Sequence, residues 1–433
     1  MSKRPRTLPK DLVQQLVAGL PQDPVPEPIE RQPLHVVYGG AHLFKAETPR
    51  KLGALAKRTL DTFAPNAASF ARAVETPEVE TVHARVLEKL AAEPVEDYRI
   101  DFEDGYGVRS DDEEDAHATA AAQELARGAQ EGTLPPSIGL RIKPMHEERA
   151  HRALRTLDLF LTRCAQESIN QPLSVTLPKV PSRREVSVLN RALDEMESSF
   201  GWARGTVSIE IMVEHPTLVL GPLIEGVHPL RAVVAAADGR CSGAHFGPYD
   251  YLTELGIAGS VQSLHHPACH FARRVMQVVL AGTGIRLSDG PTKVLPLAPH
   301  RGDALSDAEQ VANRHAVHQG WAQALRDVSR SLHEGFHQGW DLHPAQLPVR
   351  YAAVFLFFRQ SLDDAGARLR SFLDASARAS TLGARFDDAS SAQGLLVFLR
   401  QAIACGAVSD EEAAAATGID AETLRTTSLD QLA

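Results

Sequence analysis

The sequence predicts an α/β fold, a (β/α)8 TIM barrel carrying an N-terminal extension and a C-terminal helical extension. Three observations predict it. Short apolar runs alternate with longer amphipathic stretches along most of the 433 residues, the change of period that marks strand–helix units. The alternation repeats eight times, and eight parallel strands each followed by a helix close into a ring. No Gly-x-Gly-x-x-Gly follows the first strand, only Gly39-Gly40, which disfavours an open doubly wound sheet.

Residues 1–34 carry a short helical stretch and then Pro21-Gln-Asp-Pro-Val-Pro-Glu-Pro28, a stiff linker-like run. The barrel is expected over 35–350. Its strands begin with His35–Tyr38, followed by a helix near 49–63, and Tyr98–Phe102, followed by the acidic, alanine-rich helix 112–129. Ile138–Arg141 precedes a helix from about 146 to 168, and Leu173–Leu177 a helix over 182–199. After Val207–Val213 a helix opens at Pro216, where proline suits the first turn. Cys241–Phe246 leads to a helix over 267–281, and Gly284–Leu287 and Gly339–Leu342 complete the set. Residues 292–333 read as an insertion before the eighth strand, and 351–433 as a helical extension beyond the barrel. The apolar face of that extension (Val354, Phe355, Phe357, Phe358) needs a partner inside this chain or outside it. Residues 406–424 have a helix-turn-helix outline around Gly418, but their charges are mostly acidic and suit protein contact rather than DNA.

Hydrophobic residues make up 43% and charged residues 23%, ordinary values for a soluble globular chain. A net charge of −10 lacks the basic excess of a nucleic-acid or anionic-membrane binder. No run of about 18 apolar residues is long enough for a membrane helix. The start, Met1-Ser-Lys-Arg-Pro-Arg6, leads into a polar helix, not an apolar signal core. Cys164, Cys241, Cys269 and Cys405 stand far apart without a Cys-x-x-Cys, as reduced thiols do. A cytoplasmic protein is expected.

In a βα barrel the reacting groups sit at the C-terminal ends of the strands. Read in order, those ends are Asp101-Phe-Glu-Asp104, Arg141-Ile-Lys143, Pro178-Lys179, Glu214-His-Pro216, Gly247-Pro248-Tyr-Asp250 and His343-Pro-Ala-Gln346. Carboxylates on several strands around an arginine suggest a hard-cation site beside an anion site. Mg²⁺ takes oxygen ligands and keeps waters, so two direct carboxylates and a chelating substrate suffice. No His-x-x-His or cysteine cluster stands at these ends to favour zinc.

These segments resemble the family of citrate lyase beta subunits, malyl-CoA lyases and 2-keto-acid aldolases, the HpcH/HpaI family. The matching stretches are Asp101-Phe-Glu-Asp104, Leu140-Arg141-Ile-Lys143, Leu177-Pro-Lys179-Val180, Met212-Val-Glu214-His-Pro216, Phe246-Gly-Pro-Tyr-Asp250 through Gly256, and Gly339-Trp-Asp-Leu-His343-Pro-Ala-Gln346. They fall in family order over roughly 35–350. The resemblance implies that Glu214 and Asp250 ligate Mg²⁺ (Mn²⁺ as the alternative) and that Arg141 meets the substrate's keto or carboxylate oxygen. It further implies that Glu103 and Asp104 hold metal-bound waters and that Gly247, Pro248, Lys179 and His343 lie at the substrate. The chain departs from the family at His215, where threonine is usual, in its length, and in Tyr38-Gly-Gly-Ala-His42-Leu-Phe44.

Plainer readings stand beside these. Asp101, Glu103 and Asp104 could cap the next helix, and Asp111–Asp115 reads as a solvated helix start. Glu210 rivals Glu214, being on the same face of the strand but one layer deeper, where an unpaired charge is costly. A basic interior residue would satisfy it. Lys179 is either a substrate contact or a structural ion pair, and His343 reads as a packing residue closing the barrel. His265-His-Pro-Ala-Cys269-His270 reads as a helix start at Pro267 rather than a metal cluster.

The function that follows is an Mg²⁺-dependent carbon–carbon lyase or aldolase acting on a 2-keto acid or acyl-CoA, in a homo-oligomer (trimer or hexamer, from the resemblance). The alternatives are an acyl-CoA thioesterase on the same metal site and a non-catalytic keto-acid-binding barrel.

Overall fold

The computed structural model describes residues 10–18, 31–169, 171–302, 304–375, 380–382 and 385–432. The basic start and the proline-rich run 21–28 lie outside the described residues. Helix α1 (Lys10–Ala18) precedes eight strands: β1 (His35–Gly40), β2 (Asp97–Asp101), β3 (Ser137–Arg141), β4 (Leu173–Leu177), β5 (Val207–Val213), β6 (Cys241–Phe246), β7 (Arg286–Ser288) and β8 (Gly339–Asp341). Neighbours from β1 to β7 pair in parallel, and β8 returns to pair with β1, His35 opposite Gly339. Between β7 and β8 a single parallel bridge joins Ser288 to Gln338, and the Asp289 N–H donates to the Gln338 carbonyl at 2.9 Å. The eight strands form a nearly closed TIM barrel.

Helices fill every crossover. From β1 to β2 run α2 (Thr48–Phe63), α3 (Ala67–Ala73) and α4 (His83–Ala92). The strands β2, β3 and β4 are followed by α5 (Asp111–Glu131), α6 (Glu147–Gln166) and α7 (Arg183–Phe200). β5 is followed by α8 (Pro216–Leu220) and α9 (Pro229–Ala236), and β6 by α10 (Pro248–Glu254) and α11 (Pro267–Leu280). α12 (Asp307–His333) links β7 to β8, and α13 (Leu347–Asp374) follows β8. A hairpin, β9 (Ser380–Leu382) with β10 (Arg385–Asp387), then leads to α14 (Ala389–Ala404), α15 (Asp410–Thr417), α16 (Ala421–Thr426) and α17 (Leu429–Leu432).

Three expectations are corrected. Residues 292–333 are not an insertion as a whole: α12 is the crossover helix of the seventh unit. It opens with a Ser306–Glu309 capping box and buries Trp321, whose indole N–H donates to the Ala345 carbonyl at 2.7 Å. Prolines 291, 296 and 299 hold the preceding segment out of helix, and that delay disguised the unit. Second, α13 runs unbroken across residue 350 and is the eighth barrel helix. Its Tyr351 hydroxyl donates to the Pro94 carbonyl at 2.9 Å. Its apolar face finds its partner within the chain: Phe357 and Phe358 meet Phe398 of α14 at centroid distances of 6.0 and 5.1 Å. Third, the acidic start of α5 is only partly solvated. Ser110 caps the helix, so Asp101, Glu103 and Asp104 do not. Buried Glu114 pairs with Lys143 at 2.7 Å, and Asp115 pairs with Arg152 and Arg155 of α6.

All four cysteines are free. Among the described residues no helix is long and apolar enough to cross a membrane.

Candidate active site

Strand register brings the first pair together. Asp101 and Arg141 end β2 and β3 and are register partners. The Arg141 Nε and Nη2 donate to the two Asp101 oxygens at 2.7 and 2.5 Å, a parallel fork that fixes the guanidinium plane. Two aromatic rings lie together on one side of it: Arg141 Cζ is 4.7 Å from the Tyr38 ring and 5.5 Å from the Trp340 ring, and the two rings are 4.5 Å apart. Asp101 also accepts the N–H groups of Glu103 and Gly105 at 3.0 and 2.8 Å, pinning the acidic loop. A Cβ at Gly105 would lie 2.6 Å from an Asp101 oxygen. The two-pronged face expected to meet substrate is thus spent on Asp101. Nη1 is the edge that remains, 3.3 Å from Glu103 and 3.8 Å from the Met212 sulfur.

The second group forms around Glu214, which follows β5 and is 3% exposed. One of its oxygens accepts the Lys179 backbone N–H at 2.7 Å. Lys179 presents that N–H from a left-handed conformation, φ 50°, which a side chain with a Cβ adopts only under constraint. Gly247 leaves room for the carboxylate, since a Cβ there would lie 2.3 Å from the Glu214 Cγ and 2.4 Å from an oxygen. Burial, and then the charge of Asp250, push the Glu214 carboxyl up to about 8. Asp250 stands in the first turn of α10, which Pro248 opens, and its side chain is 43% exposed.

Lys179 resolves as an ion pair. Its ammonium bonds Glu103 and lies 3.3 Å from Asp104 and 3.9 Å from Asp250. Burial raises the Glu103 carboxyl, while the Asp104 carboxyl, 60% exposed, is held low against its own desolvation by hydrogen bonding and by the charges of Arg141 and Lys179. The structure therefore gathers Arg141, Glu103, Asp104, Lys179, Glu214 and Asp250 at one mouth. His343 does something else: its Nδ1 accepts the Ala345 N–H at 3.1 Å and caps the short turn Pro344–Gln346.

One layer deeper, Glu210 has the basic partners its depth requires. Arg99 donates to it at 3.1 and 2.7 Å, the Thr176 hydroxyl at 3.1 Å, and the His245 Nε2 lies 3.2 Å away. The Tyr38 hydroxyl stands 3.3 Å from the His245 Nδ1. Sequence reasoning passed over Tyr38, Trp340 and His245 as site residues, and read Asp101 only as part of an acidic segment. The available signal was period-two alternation, which puts Tyr38, Arg99, Arg141, Glu210 and His245 inside the barrel.

Among the described residues no three His, Cys, Asp or Glu side chains are grouped to hold a metal by themselves. An octahedral Mg²⁺ needs fewer, since waters and a chelating substrate complete its shell. Glu214 and Asp250 fit that need: two carboxylates near enough for the charge of one to act on the other, Glu214 buried, raised in pKa and seated in the cradle that Gly247 leaves open.

Over residues 18–432 the sequence matches the family model described as "Domain of unknown function (DUF6986)". The chain belongs to the DUF6986 family. Among curated proteins, no sequence matches this DUF6986 member. Among solved structures, it is similar to a citrate lyase from Burkholderia xenovorans LB400, with 20% identity and a TM-score of 0.55 over 78% of this chain and 92% of the other. It also aligns with CitE from Mycobacterium tuberculosis in complex with magnesium, acetoacetate and coenzyme A (17% identity, TM-score 0.48, 86% and 98% of the chains). A third is a Haloferax volcanii malate synthase lead(II) complex (13%, 0.48, 79% and 85%). The citrate lyase likeness establishes the shared barrel; at this identity it establishes fold and nothing finer.

Proposed function

We propose that this DUF6986 protein is a divalent-metal-dependent carbon–carbon lyase or aldolase, working through the enolate of a 2-keto acid or an acyl-CoA. One observation carries the reading: two interacting carboxylates, Glu214 and Asp250, stand near an arginine whose plane is locked by Asp101 and whose Nη1 edge is left for a ligand. Glu214 and Asp250 would hold Mg²⁺, with Mn²⁺ as the alternative, and the ion would supply a Lewis acid for oxyanion charge. Arg141 orients the substrate's keto or carboxylate oxygen through Nη1. Its preorganisation by Asp101, Tyr38 and Trp340 means that little reorganisation accompanies charge development. Glu103 and Asp104 hold ordered water and keep the Lys179 ammonium in place. Gly247 and Pro248 shape the floor beneath Glu214. We place the protein in a reducing, cytoplasmic setting, consistent with four free thiols, as a homo-oligomer.

The test needs no knowledge of the natural substrate. Pyruvate or 2-oxobutyrate incubated in D₂O with the protein and Mg²⁺ should exchange the hydrogens next to the carbonyl faster than with Mg²⁺ alone, read by proton NMR. Chelator should abolish the gain and Mg²⁺ or Mn²⁺ restore it. If neither keto acid exchanges, and acyl-CoAs instead yield free CoA with an intact hydroxy acid, the site is a thioesterase.

A further inference from the structure

Enolate chemistry needs a base, and at the mouth Glu103 and Asp104, the carboxylates not assigned to the cation, are engaged by Lys179 and Arg141. Glu214 and Asp250 are committed to the cation, Arg141 stays charged, and carboxylates led by Glu103 hold Lys179 protonated. One layer down, three side chains from three strands form a hydrogen-bonded series. The Tyr38 hydroxyl of β1 lies 3.3 Å from the Nδ1 of His245 on β6, and the His245 Nε2 lies 3.2 Å from Glu210 on β5. His245 and Glu210 are buried, and Tyr38 is the member that touches a residue of the mouth. Its ring lies against the Arg141 guanidinium, 4.7 Å from Cζ.

Charge fixes the direction of the series. The groups facing His245 are Tyr38 from β1, Asp97 and Arg99 from β2, Glu210 from β5 and Arg286 from β7, the last 3.9 Å from Glu210. Burial opposes ionisation of Glu210, but the charge of Arg99, which donates two hydrogen bonds to it, holds the carboxyl below its ordinary range. An ionised carboxylate only accepts, so the His245 Nε2 carries the hydrogen. In the neutral ring Nδ1 is then the acceptor, and the Tyr38 O–H donates to it.

We infer that Tyr38 is the catalytic base of this site, handing its own proton to His245 as it takes one from the substrate. His245 and Glu210 are its positioning residues. The inference rests on the enolate reading above. In the condensation direction the substrate C–H bond breaks, its electron pair becomes the enolate, and its proton forms a new O–H bond on Tyr38. The original Tyr38 proton moves to His245 Nδ1, giving an imidazolium beside the Glu210 carboxylate. In the cleavage direction the proton comes from the substrate hydroxyl, and the O–H electron pair becomes the carbonyl as the carbon–carbon bond breaks. Nothing is oxidised or reduced, and the reverse transfer regenerates the neutral phenol and imidazole beside the Glu210 carboxylate. The logic is that of a nucleophile–histidine–carboxylate series with a phenol in first place. Burial keeps the phenol protonated at rest, which makes the coupled transfer to His245 necessary.

The experiment uses the full chain with Mg²⁺ and pyruvate in D₂O. Tyr38→Phe should slow methyl exchange about 10²–10⁴-fold, the usual worth of a positioned acid–base group, while saturation-transfer NMR still detects bound pyruvate. The pH profile of exchange should differ between wild type and Tyr38→Phe, since the variant has no hydroxyl to relay a proton to His245. Histidine-selective ¹⁵N NMR of the wild-type protein, with the His245 signal identified by its loss in His245→Asn, should show the neutral Nε2–H form at pH 8. Wild-type exchange with an unchanged rate and pH profile in Tyr38→Phe overturns the base and leaves the enolate reading standing. A His245 carrying hydrogen on Nδ1 overturns the relay even if Tyr38→Phe fails to fold. A wild-type protein that exchanges no keto acid overturns the enolate reading and the base with it.

Discussion

Replacing Glu214 by glutamine isolates the energetics of the proposed metal site. In the unfolded chain Glu214 ionises near 4.5, while in the folded, metal-free protein burial and Asp250 hold its proton up to about pH 8. Folded-state affinity for that proton adds stability that is complete below about pH 4.5 and is lost as pH rises through about 8. At about 1.4 kcal/mol per pH unit, the interval amounts to about 5 kcal/mol. Asp250 is half exposed and partly screened, so about 2–4 kcal/mol is the expected observation. Glutamine keeps an acceptor for the Lys179 N–H and never carries the charge. In urea denaturation with chelator, wild type should lose about that much stability between pH 5 and pH 9, and Glu214→Gln much less. With saturating Mg²⁺ at pH 8 the order should reverse, because a ligand that binds only the folded state stabilises it, and only wild type retains both carboxylates. Parallel pH slopes would refute the buried, proton-holding Glu214. Equal stabilisation of both proteins by Mg²⁺ would remove Glu214 from the ligand set.

Further outcomes follow from the same geometry. Asp101→Asn should cost about 3–5 kcal/mol in denaturant titrations, because buried Arg141 then loses its two-pronged carboxylate and keeps only Glu103, 3.3 Å from Nη1. Arg141→Lys should remove most keto-acid exchange, since an ammonium reproduces neither the fork to Asp101 nor a fixed Nη1. Gly247→Ala forces the Glu214 carboxylate aside and should weaken Mg²⁺ binding at least about tenfold by calorimetry, the scale expected when a ligand loses its support. His343→Ala should cost about 1 kcal/mol of stability as a lost cap, with the exchange rate little changed. Light scattering at micromolar concentration should report an oligomer, and a monodisperse monomer would refute that expectation.

Much of this architecture could be read from the chain because parallel barrel strands are buried on both faces and appear as bounded apolar runs. Leu173–Leu177, Val207–Val213 and Cys241–Phe246 are such runs, and their limits coincide with β4, β5 and β6. The three-residue strands β7 and β8 have too little sequence to set their ends. The segment from Ala67 to Ala92 hid α3 and α4 behind Pro77 and a spread of glutamates. At the site, strand-end position was enough to nominate the carboxylates and Arg141. Pairing was not legible in the same way. The Asp101–Arg141 fork depends on two strands lying in register, and Lys179, after β4, reaches Glu103, after β2, past the intervening β3. Tyr38 and His245 come from β1 and β6, which are neighbours neither in sequence nor in the sheet; only closure of the ring brings them face to face.

That closure also orders events during synthesis. The first strand waits, half paired, until the eighth has been made: His35 finds Gly339 only after some three hundred intervening residues have emerged. The helix that then covers this junction, α13, is among the last long segments to be translated, and the helices from α14 onward pack on it or on one another. Until it docks, β1 and β7 both present unpaired edges, the kind of surface that invites association between nascent chains. A ribosome-bound fragment ending before residue 347 should therefore be sticky and protease-sensitive, whereas one extended past 374 should have the ring sealed. The chain beyond the barrel is tied, through α13, to the step that completes the ring.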